Sequence, residues 1–87
     1  MSDPGYRIPP NVFAAQLAGE AVILHLDTKR YYRLNLTGAE VWRGLERGES
    51  REEITSRLVR EFTVDPETAA AEVDRLVTDL RAARLLE

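Results

Sequence analysis

The residues that could perform chemistry are few, because the 87-residue chain contains a single histidine, His25, and no cysteine. A thiolate nucleophile, a disulfide and a sulfur-ligated metal are therefore excluded. His25 lies in the run AVILHL, where strand alternation places it on the face opposite Val22, Leu24 and Leu26. No acid or second ligand is near it in sequence, and acid–base catalysis needs a positioned partner. We therefore expect a histidine at the surface or on an edge strand.

The acidic side chains lie mainly where helix starts need them. Residues 37–40 and 50–53 each fit the capping box S/T-x-x-E, in which a hydroxyl and a carboxylate satisfy free backbone amides. Asp65 directly precedes Pro66, which is a strong start signal. The glycines match neither GxGxxG nor GxxxxGK[ST]. We therefore predict no enzyme activity, no metal site and no cofactor for this chain alone.

Charge and hydropathy narrow the class of protein. The chain carries 15 acids and 12 bases, a formal charge of −3, whereas a protein that neutralises many phosphates needs a basic surface. No run approaches the roughly 18 apolar residues of a membrane span, and the N-terminus lacks the apolar segment of a secretory signal. A chain this short forms one domain at most. We expect a cytoplasmic protein that binds neither nucleic acid nor membrane.

The N-terminal half predicts an extended arm followed by short strands. Residues 1–11 hold three of the four prolines, which is typical of a flexible arm. Short apolar runs bounded by polar turns predict strands over residues 12–18, 21–26 and 30–34. Three such segments in succession fit an antiparallel meander most simply.

The C-terminal half predicts three helices. The capping signals place them over residues 37–47, 50–61 and 66–84, and Gly48 is positioned to end the first. Trp42 lies on the apolar stripe of the first helix, where it is either a core anchor or, in the sharper alternative, a stacking platform for a base. Strands followed by helices indicate an α+β fold, with helices covering one face of a small antiparallel sheet.

The three helices also permit a helix-turn-helix interpretation, in which the third helix would enter the major groove of DNA. Four acids lie along that helix, whereas Arg75 is the only base before its last turn. Negative charge there repels phosphate. A DNA-binding module is therefore the disfavoured alternative.

The third predicted strand lies at a sheet edge if the strand order follows the sequence. An uncovered edge exposes unpaired N–H and C=O groups, and natural proteins usually protect it. In one interpretation, Arg30 and Arg33 provide that protection. In the other, the edge is left open for a guest strand, and nearby aromatic and aliphatic side chains form pockets for it. The residues alone leave both interpretations open.

An ordered set of residues runs from the second strand into the first helix: Leu26-Asp27, a turn, Tyr31-Tyr32-x-Leu34-Asn35, Thr37-Gly38-Ala39 and Trp42. It continues through Ile54, Leu58, Phe62-x-Val64, Glu72-Val73, Leu76, Leu80 and Leu85-Leu86. With this set, the chain after residue 11 resembles the PqqD-like family of peptide-binding domains. Arg84 departs from the pattern, because such sequences often have glycine at this position.

The resemblance implies a winged-helix-like RiPP recognition element over residues 12–87, with a three-stranded antiparallel sheet followed by three helices. In such domains the leader of a ribosomally made precursor peptide adds as a strand to the third strand, in a groove bordered by the third helix. A free-standing copy of this length looks most like the leader-binding subunit of split lasso-peptide systems, which implies a leader peptidase and a cyclase as partners. The alternative is a PqqD-type chaperone that delivers a precursor to a radical enzyme.

On this basis, the expected peptide-binding residues belong to the third strand and to the third helix. They are Lys29, Arg30, Tyr31, Tyr32, Arg33, Leu34, Val73, Asp74, Leu76, Val77 and Leu80. The helical wheel leaves two flanks open for the groove wall, which are Ala70, Asp74, Val77 and Arg81, or Glu72, Leu76, Asp79 and Ala83. Val73 and Leu80 are also expected in the core.

Overall fold

The computed structural model describes residues 6–87, which form a three-stranded antiparallel sheet followed by three helices. Strands β1, β2 and β3 and helices α1, α2 and α3 span, in order, Val12–Leu17, Glu20–His25, Arg30–Leu34, Leu36–Glu46, Arg51–Phe62 and Pro66–Ala82. The strand order in the sheet is β1-β2-β3, so β3 is an edge strand. The predicted α+β class and the predicted order of elements are confirmed.

The face of the sheet that packs on the helices is the opposite of the one expected. Ala21, Ile23 and His25 of β2 are buried, and His25 is only 5% exposed. Leu24 and Leu26 on the other face are 37% and 39% exposed. The expectation of a surface histidine is therefore wrong. Because AVILHL offers apolar side chains to both faces, alternation alone does not choose between them.

Hydrogen bonds from the β2–β3 turn satisfy the buried His25 ring. Asp27 and Thr28 donate their backbone N–H groups to His25 Nδ1 at 3.2 and 3.4 Å. The N–H of Lys29 donates to the His25 carbonyl at 2.9 Å, and Lys29 has a left-handed φ of +61°. Arg30 then pairs with His25 as the first residue of β3. The histidine therefore holds the turn that leads into the edge strand.

Helix α1 has its N-cap two residues earlier than predicted. Asn35 is the N-cap, since its side-chain oxygen accepts a hydrogen bond from the Gly38 N–H at 2.9 Å. Asparagine is at least as good an N-cap as threonine, and here it directly follows β3. The prediction of a capping box over residues 37–40 is therefore wrong. Glu40 is consequently available for other contacts.

The starts of the other two helices follow their sequence signals. Ser50 and Glu53 form the predicted capping box, with reciprocal hydrogen bonds of 2.8 and 3.1 Å. The side chain of Asp65 accepts a hydrogen bond from the Thr68 N–H at 2.6 Å, and Pro66 is the first helical residue. Both starts are confirmed because each signal is complete within four or so residues and needs no tertiary contact.

Helices α1 and α3 end in the same Schellman geometry with different residues at the left-handed position. Gly48 follows α1 with φ +73°, and Arg84 follows α3 with φ +63°. Both backbone hydrogen bonds of the motif are present at each end, at 3.1 and 3.0 Å after α1 and at 3.1 and 2.8 Å after α3. Glycine adopts this conformation freely, whereas the Cβ of an arginine makes it strained. The motif turns Leu85 back into the core, where it is fully buried.

The core lies between the sheet and the helices, and Trp42 of α1 is its largest fully buried side chain. The indole N–H donates to Glu46 at 3.0 Å, so the polar atom of the ring is satisfied. Ile54 and Leu58 of α2 belong to the same cluster. The prediction that Trp42 anchors the core is confirmed.

Part of the expected N-terminal arm lies against the domain. Tyr6 and Ile8 pack against the core, and the Glu87 N–H donates to the Arg7 carbonyl at 2.7 Å. The first five residues of the predicted arm lie outside the described residues. Flexibility of the arm stays a prediction.

A partly buried ion cluster joins α1 to α2. Glu40 accepts hydrogen bonds from Arg43 and from Arg57 of α2, and Arg57 also pairs with Glu49. Burial would raise the pKa of Glu40, but the hydrogen bonds and charges of the two arginines outweigh it and hold that pKa below its usual value. The stability that this carboxylate contributes is present above the ordinary glutamate pKa. It is lost as the pH falls through the folded-state pKa.

We expect Glu40→Gln to lower the free energy of unfolding at pH 7 by about 1–3 kcal/mol, because Arg57 keeps its charge at a poorly exposed site after losing a partner. Urea unfolding at several pH values measures this. The gap to the wild type should narrow below about pH 4, where Glu40 takes up a proton. The exposed substitution Glu52→Gln is the control. A gap that stays constant on acidification would contradict this role.

We expect Arg84→Gly to raise the free energy of unfolding by about 0.5–1 kcal/mol, since glycine relieves the left-handed strain. Gly48→Ala is the matched opposite case. A Cβ at this position meets nothing within 4 Å, so only backbone strain is added and stability should fall by a similar amount. Thermal unfolding of both variants checks the pair, and a less stable Arg84→Gly protein would refute the strain at this position.

Candidate functional site

A groove runs between β3 and α3. Its larger part encloses about 550 Å³ and is lined by β3, the start of α1 and one face of α3. We call this part the leucine compartment. Its lining consists of Tyr32, Arg33, Leu34, Asn35, Gly38, Glu72, Arg75, Leu76, Asp79, Leu80, Ala82 and Ala83.

The floor of the leucine compartment is apolar. Leu34 of β3 and Leu76 and Leu80 of α3 lie there and are largely buried. Tyr32 forms part of the wall and keeps 40% of its surface exposed. A Cβ at Gly38 would lie 3.2 Å from the Leu34 Cβ, so the glycine allows α1 to approach β3 closely at this end of the groove. A buried apolar side chain of a ligand would find partners here.

A chain of ion pairs forms the rim of the leucine compartment on α3. Arg75 binds Glu72 at 2.7 Å and Asp79 at 3.2 Å, which lie one turn before and one turn after it. The hydrogen bond from Arg75 holds the pKa of Glu72 below its usual value. Glu72 is therefore ionised at neutral pH, and the rim carries two acids for one arginine.

The groove continues past Tyr32 into a second part of about 410 Å³. This arginine compartment is lined by Thr28, Arg30, Tyr32, Ala82, Ala83 and Arg84. Tyr32 and the two alanines line both parts, so the compartments are continuous along β3. One half of the groove is apolar at its floor, and the other is lined by two arginines.

Strand β3 offers a free backbone edge beside this groove. Among residues 6–87, only β2 pairs with β3, so alternate residues of the strand direct N–H and C=O groups away from the sheet. Arg30, Tyr32 and Leu34 share the face of the sheet that carries His25, and Tyr31 lies on the other face. A fourth strand on this edge would point alternate side chains into the groove.

The structure brings together about half of the predicted site residues. Tyr32, Arg33, Leu34, Leu76 and Leu80 line the leucine compartment, and Arg30 lines the arginine compartment with Tyr32. Lys29 lies in the turn before β3, and Tyr31 lies on the outer face of the sheet. All of these residues are on β3, beside it or across the groove from it.

The other predicted residues of α3 lie away from the groove. Val73 and Val77 are buried in the core. Asp74 binds Arg51 of α2 through two hydrogen bonds of 2.6 and 2.8 Å. The wall is therefore formed by the second of the two flanks that the helical wheel left open, since all four of its residues line the leucine compartment.

Several groove residues were not among the predicted ones. Arg75 had a signal in the sequence, because it lies three residues after Glu72 and four before Asp79 on the same flank. No signal in the sequence marked Gly38 and Asn35 as groove residues, because their position beside the groove depends on how α1 follows β3. Arg84 stood out only as a departure from the usual glycine.

The exposed surface of α3 does not resemble a DNA-reading helix. Its groove side carries Glu72 and Asp79 with Arg75 between them, and Asp74 lies toward α2. A reading helix needs basic or amide side chains aimed at phosphates and base edges. Among the described helices, none is long and apolar enough to cross a membrane.

The family model for coenzyme PQQ synthesis protein D (PqqD) matches residues 20–86. The chain belongs to the PqqD family. The match runs from β2 to the last core leucines, so it includes β3, α3 and the whole groove between them. The resemblance found in the sequence is thereby confirmed for this PqqD-family protein.

Two solved structures are similar to this PqqD-family protein over nearly all of its length. "TbiB1 in Complex with the TbiA(beta) Leader Peptide" is 33% identical, covers 93% of this chain and 94% of that one, and has a TM-score of 0.88. "Lasso peptide synthetase B1 complexed with the leader peptide" is 27% identical, covers 94% and 96%, and has a TM-score of 0.87. The chain matches none of the curated proteins with which it was compared.

Proposed function

We propose that this protein is a non-catalytic binding subunit that captures the leader segment of a ribosomally made precursor peptide. The leader adds as a fourth strand to the free edge of β3 and lies in the groove beside α3. The protein then presents the precursor to a partner leader peptidase and a cyclase, as in lasso-peptide maturation. The observation that carries this proposal is an unpaired strand edge that runs along an apolar groove.

The similar structures support this choice of ligand. Both were determined with a leader peptide bound, and the first is 33% identical to this chain over 93% of its length. Strand addition explains how a groove with an apolar floor holds an extended peptide without an enclosed pocket. The backbone bonds supply affinity and the side-chain pockets supply specificity.

The expected affinity follows from these two contributions. Four or five strand-to-strand hydrogen bonds contribute about 2–7 kcal/mol, at a net ~0.5–1.5 kcal/mol each. Each apolar anchor that is buried in the groove adds roughly 1.5–3 kcal/mol. Association and ordering of the peptide cost on the order of 4–15 kcal/mol. With two anchors, the upper values of both gains and the lowest association cost, the net binding free energy is about 9 kcal/mol, which corresponds to a dissociation constant slightly below ~1 μM.

The engagement of the polar groups supports a binding role rather than catalysis. His25 is buried and accepts two backbone hydrogen bonds through Nδ1. The acids in the groove, Glu72 and Asp79, are paired with Arg75. A general base must be free to take a proton from a substrate that is positioned beside it, whereas these side chains are engaged in structural contacts. We infer that cleavage and cyclisation of the precursor are carried out by the partners.

The family match favours a second candidate, a PqqD-type chaperone that delivers a precursor to a radical enzyme. The two candidates share the groove and the strand addition but differ in the enzyme served. The reading frames beside this one separate them. A short precursor next to a peptidase and a cyclase supports the lasso-type role, and a precursor next to a radical enzyme supports the other.

We expect a proline in β3 to weaken leader binding strongly where it removes an outward N–H. Adjacent residues of a strand direct their N–H groups to opposite edges, so Tyr31→Pro and Tyr32→Pro together sample both. The variant whose lost N–H faces outward should keep the melting temperature of the wild type. This variant should bind the leader of the adjacent precursor at least about 30-fold more weakly. Anisotropy of a fluorescein-labelled leader peptide measures the dissociation constant.

The matched control uses the other edge of the sheet. Ala14→Pro and Ala15→Pro place the same change in β1, and the stable member of that pair should bind the leader as the wild type does. If the stable β3 variant keeps full affinity, or if only the β1 variant loses it, β3 is not the docking edge.

We expect the protein alone to leave the full-length precursor intact, and cleavage to appear only when the partner peptidase is added. Mass spectrometry of the precursor after incubation measures this. A titration with duplex DNA at low and high salt tests the remaining class, since a DNA binder loses affinity steeply with salt. Turnover by this chain alone, or salt-dependent binding of DNA, would contradict the proposal.

A further inference from the structure

The arginine compartment is lined by two arginines that have no acidic partner among the described residues. Arg30 comes from the first position of β3, and Arg84 comes from the residue after the α3 cap. Neither side chain forms an ion pair with any of residues 6–87, and no acid lines this compartment in the described range. In the adjoining leucine compartment, by contrast, Arg75 is paired with both neighbouring acids.

Two acids, Asp27 and Glu87, line an adjoining depression together with Arg84, but neither forms an ion pair with it. The carboxylate of Asp27, in the turn before β3, accepts a hydrogen bond from the Asn11 side chain. Glu87 at the C-terminus lies 3.6 Å from the guanidinium of Arg7. Two unpaired cations that line one concave site repel each other mildly and attract an anion. The arginine compartment itself therefore carries positive charge and no acid among the described residues.

The backbone at Arg84 gives an independent reason to assign its side chain a function. Its φ of +63° lies in the left-handed region, where glycine is the least strained residue. A non-glycine residue in such a conformation is a local cost that often accompanies a functional side chain. Gly48 occupies the equivalent position after α1, and the space around it is open.

We propose that the arginine compartment binds the carboxylate of an aspartate or glutamate side chain of the leader. This inference rests on the proposed leader binding and specifies what the leader must carry. Two guanidinium groups bind a carboxylate through charge-assisted hydrogen bonds, which are shorter and stronger than neutral ones. We call Arg30 and Arg84 together the carboxylate clamp. It selects leaders by charge, whereas the leucine compartment selects them by the fit of an apolar side chain.

The register of β3 places the acid relative to the apolar anchor of the leader. Arg30, Tyr32 and Leu34 lie at intervals of two residues on the face that borders the groove. A guest strand beside β3 repeats this spacing. A residue next to Arg30 and one next to Leu34 are therefore about four positions apart, with one groove-facing residue between them at Tyr32.

The test uses the leader of the precursor that is encoded beside this chain, labelled with fluorescein. Each Asp and Glu of the leader is changed in turn to Asn or Gln, and the dissociation constant is measured by anisotropy. For the wild-type protein, one of these changes should weaken binding about 5- to 20-fold. The acid concerned should lie about four residues from an apolar anchor of the leader. In the Arg84→Gly or Arg30→Gln protein, the same change in the leader should raise the dissociation constant less than about twofold, because one of the two cations has already been removed.

Two controls separate binding from folding. Arg84→Gly fits the backbone better than arginine does, so its loss of affinity for the acidic leader should come with an unchanged or higher melting temperature. Arg60→Gln removes an arginine of α2 that lies outside the groove. In this variant, each change in the leader should weaken binding by the same factor as in the wild type.

The possible outcomes are distinct. If no acid of a tightly bound leader matters, or if the critical acid matters equally in the arginine variants, the carboxylate clamp is refuted while strand addition stands. If the labelled leader does not bind the wild-type protein at all, the proposed function fails, and the clamp fails with it.

Discussion

The unpaired backbone edge of β3 is the constraint on which the rest of the structure depends. An exposed strand edge invites pairing with any extended chain, so a protein that keeps one open must restrict what can use it. Here α3 lies beside the edge and forms a groove with an apolar floor at Leu34, Leu76 and Leu80. The backbone provides the attraction, and the groove limits it to chains with matching side chains.

The residues around β3 hold that edge in place from both ends. His25 fixes the turn that enters the strand, and Asn35 ends the strand and starts α1. Across the groove, Arg75 is paired with both Glu72 and Asp79, which holds the three side chains of the α3 rim in place. The strand is therefore preorganised, which reduces the ordering cost of binding.

Features that are complete within a few residues could be predicted from the sequence, and those that depend on tertiary packing could not. The Ser50–Glu53 box and the Asp65 cap are local, and both are found where they were predicted. The burial of His25 depends on two amides of a turn that folds back on it. Likewise, the wheel of α3 shows one broad apolar stripe, and only packing separates the buried Val73 and Val77 from the groove-lining Leu76.

Amide hydrogen exchange measured with and without the leader of the adjacent precursor tests the central claim most directly. If the leader pairs with β3, the amides of residues 30–34 that face away from β2 should exchange much more slowly in the complex, while those of β1 should not change. Protection that appears on β1, or a β3 edge that exchanges equally fast with and without a bound leader, would contradict the account.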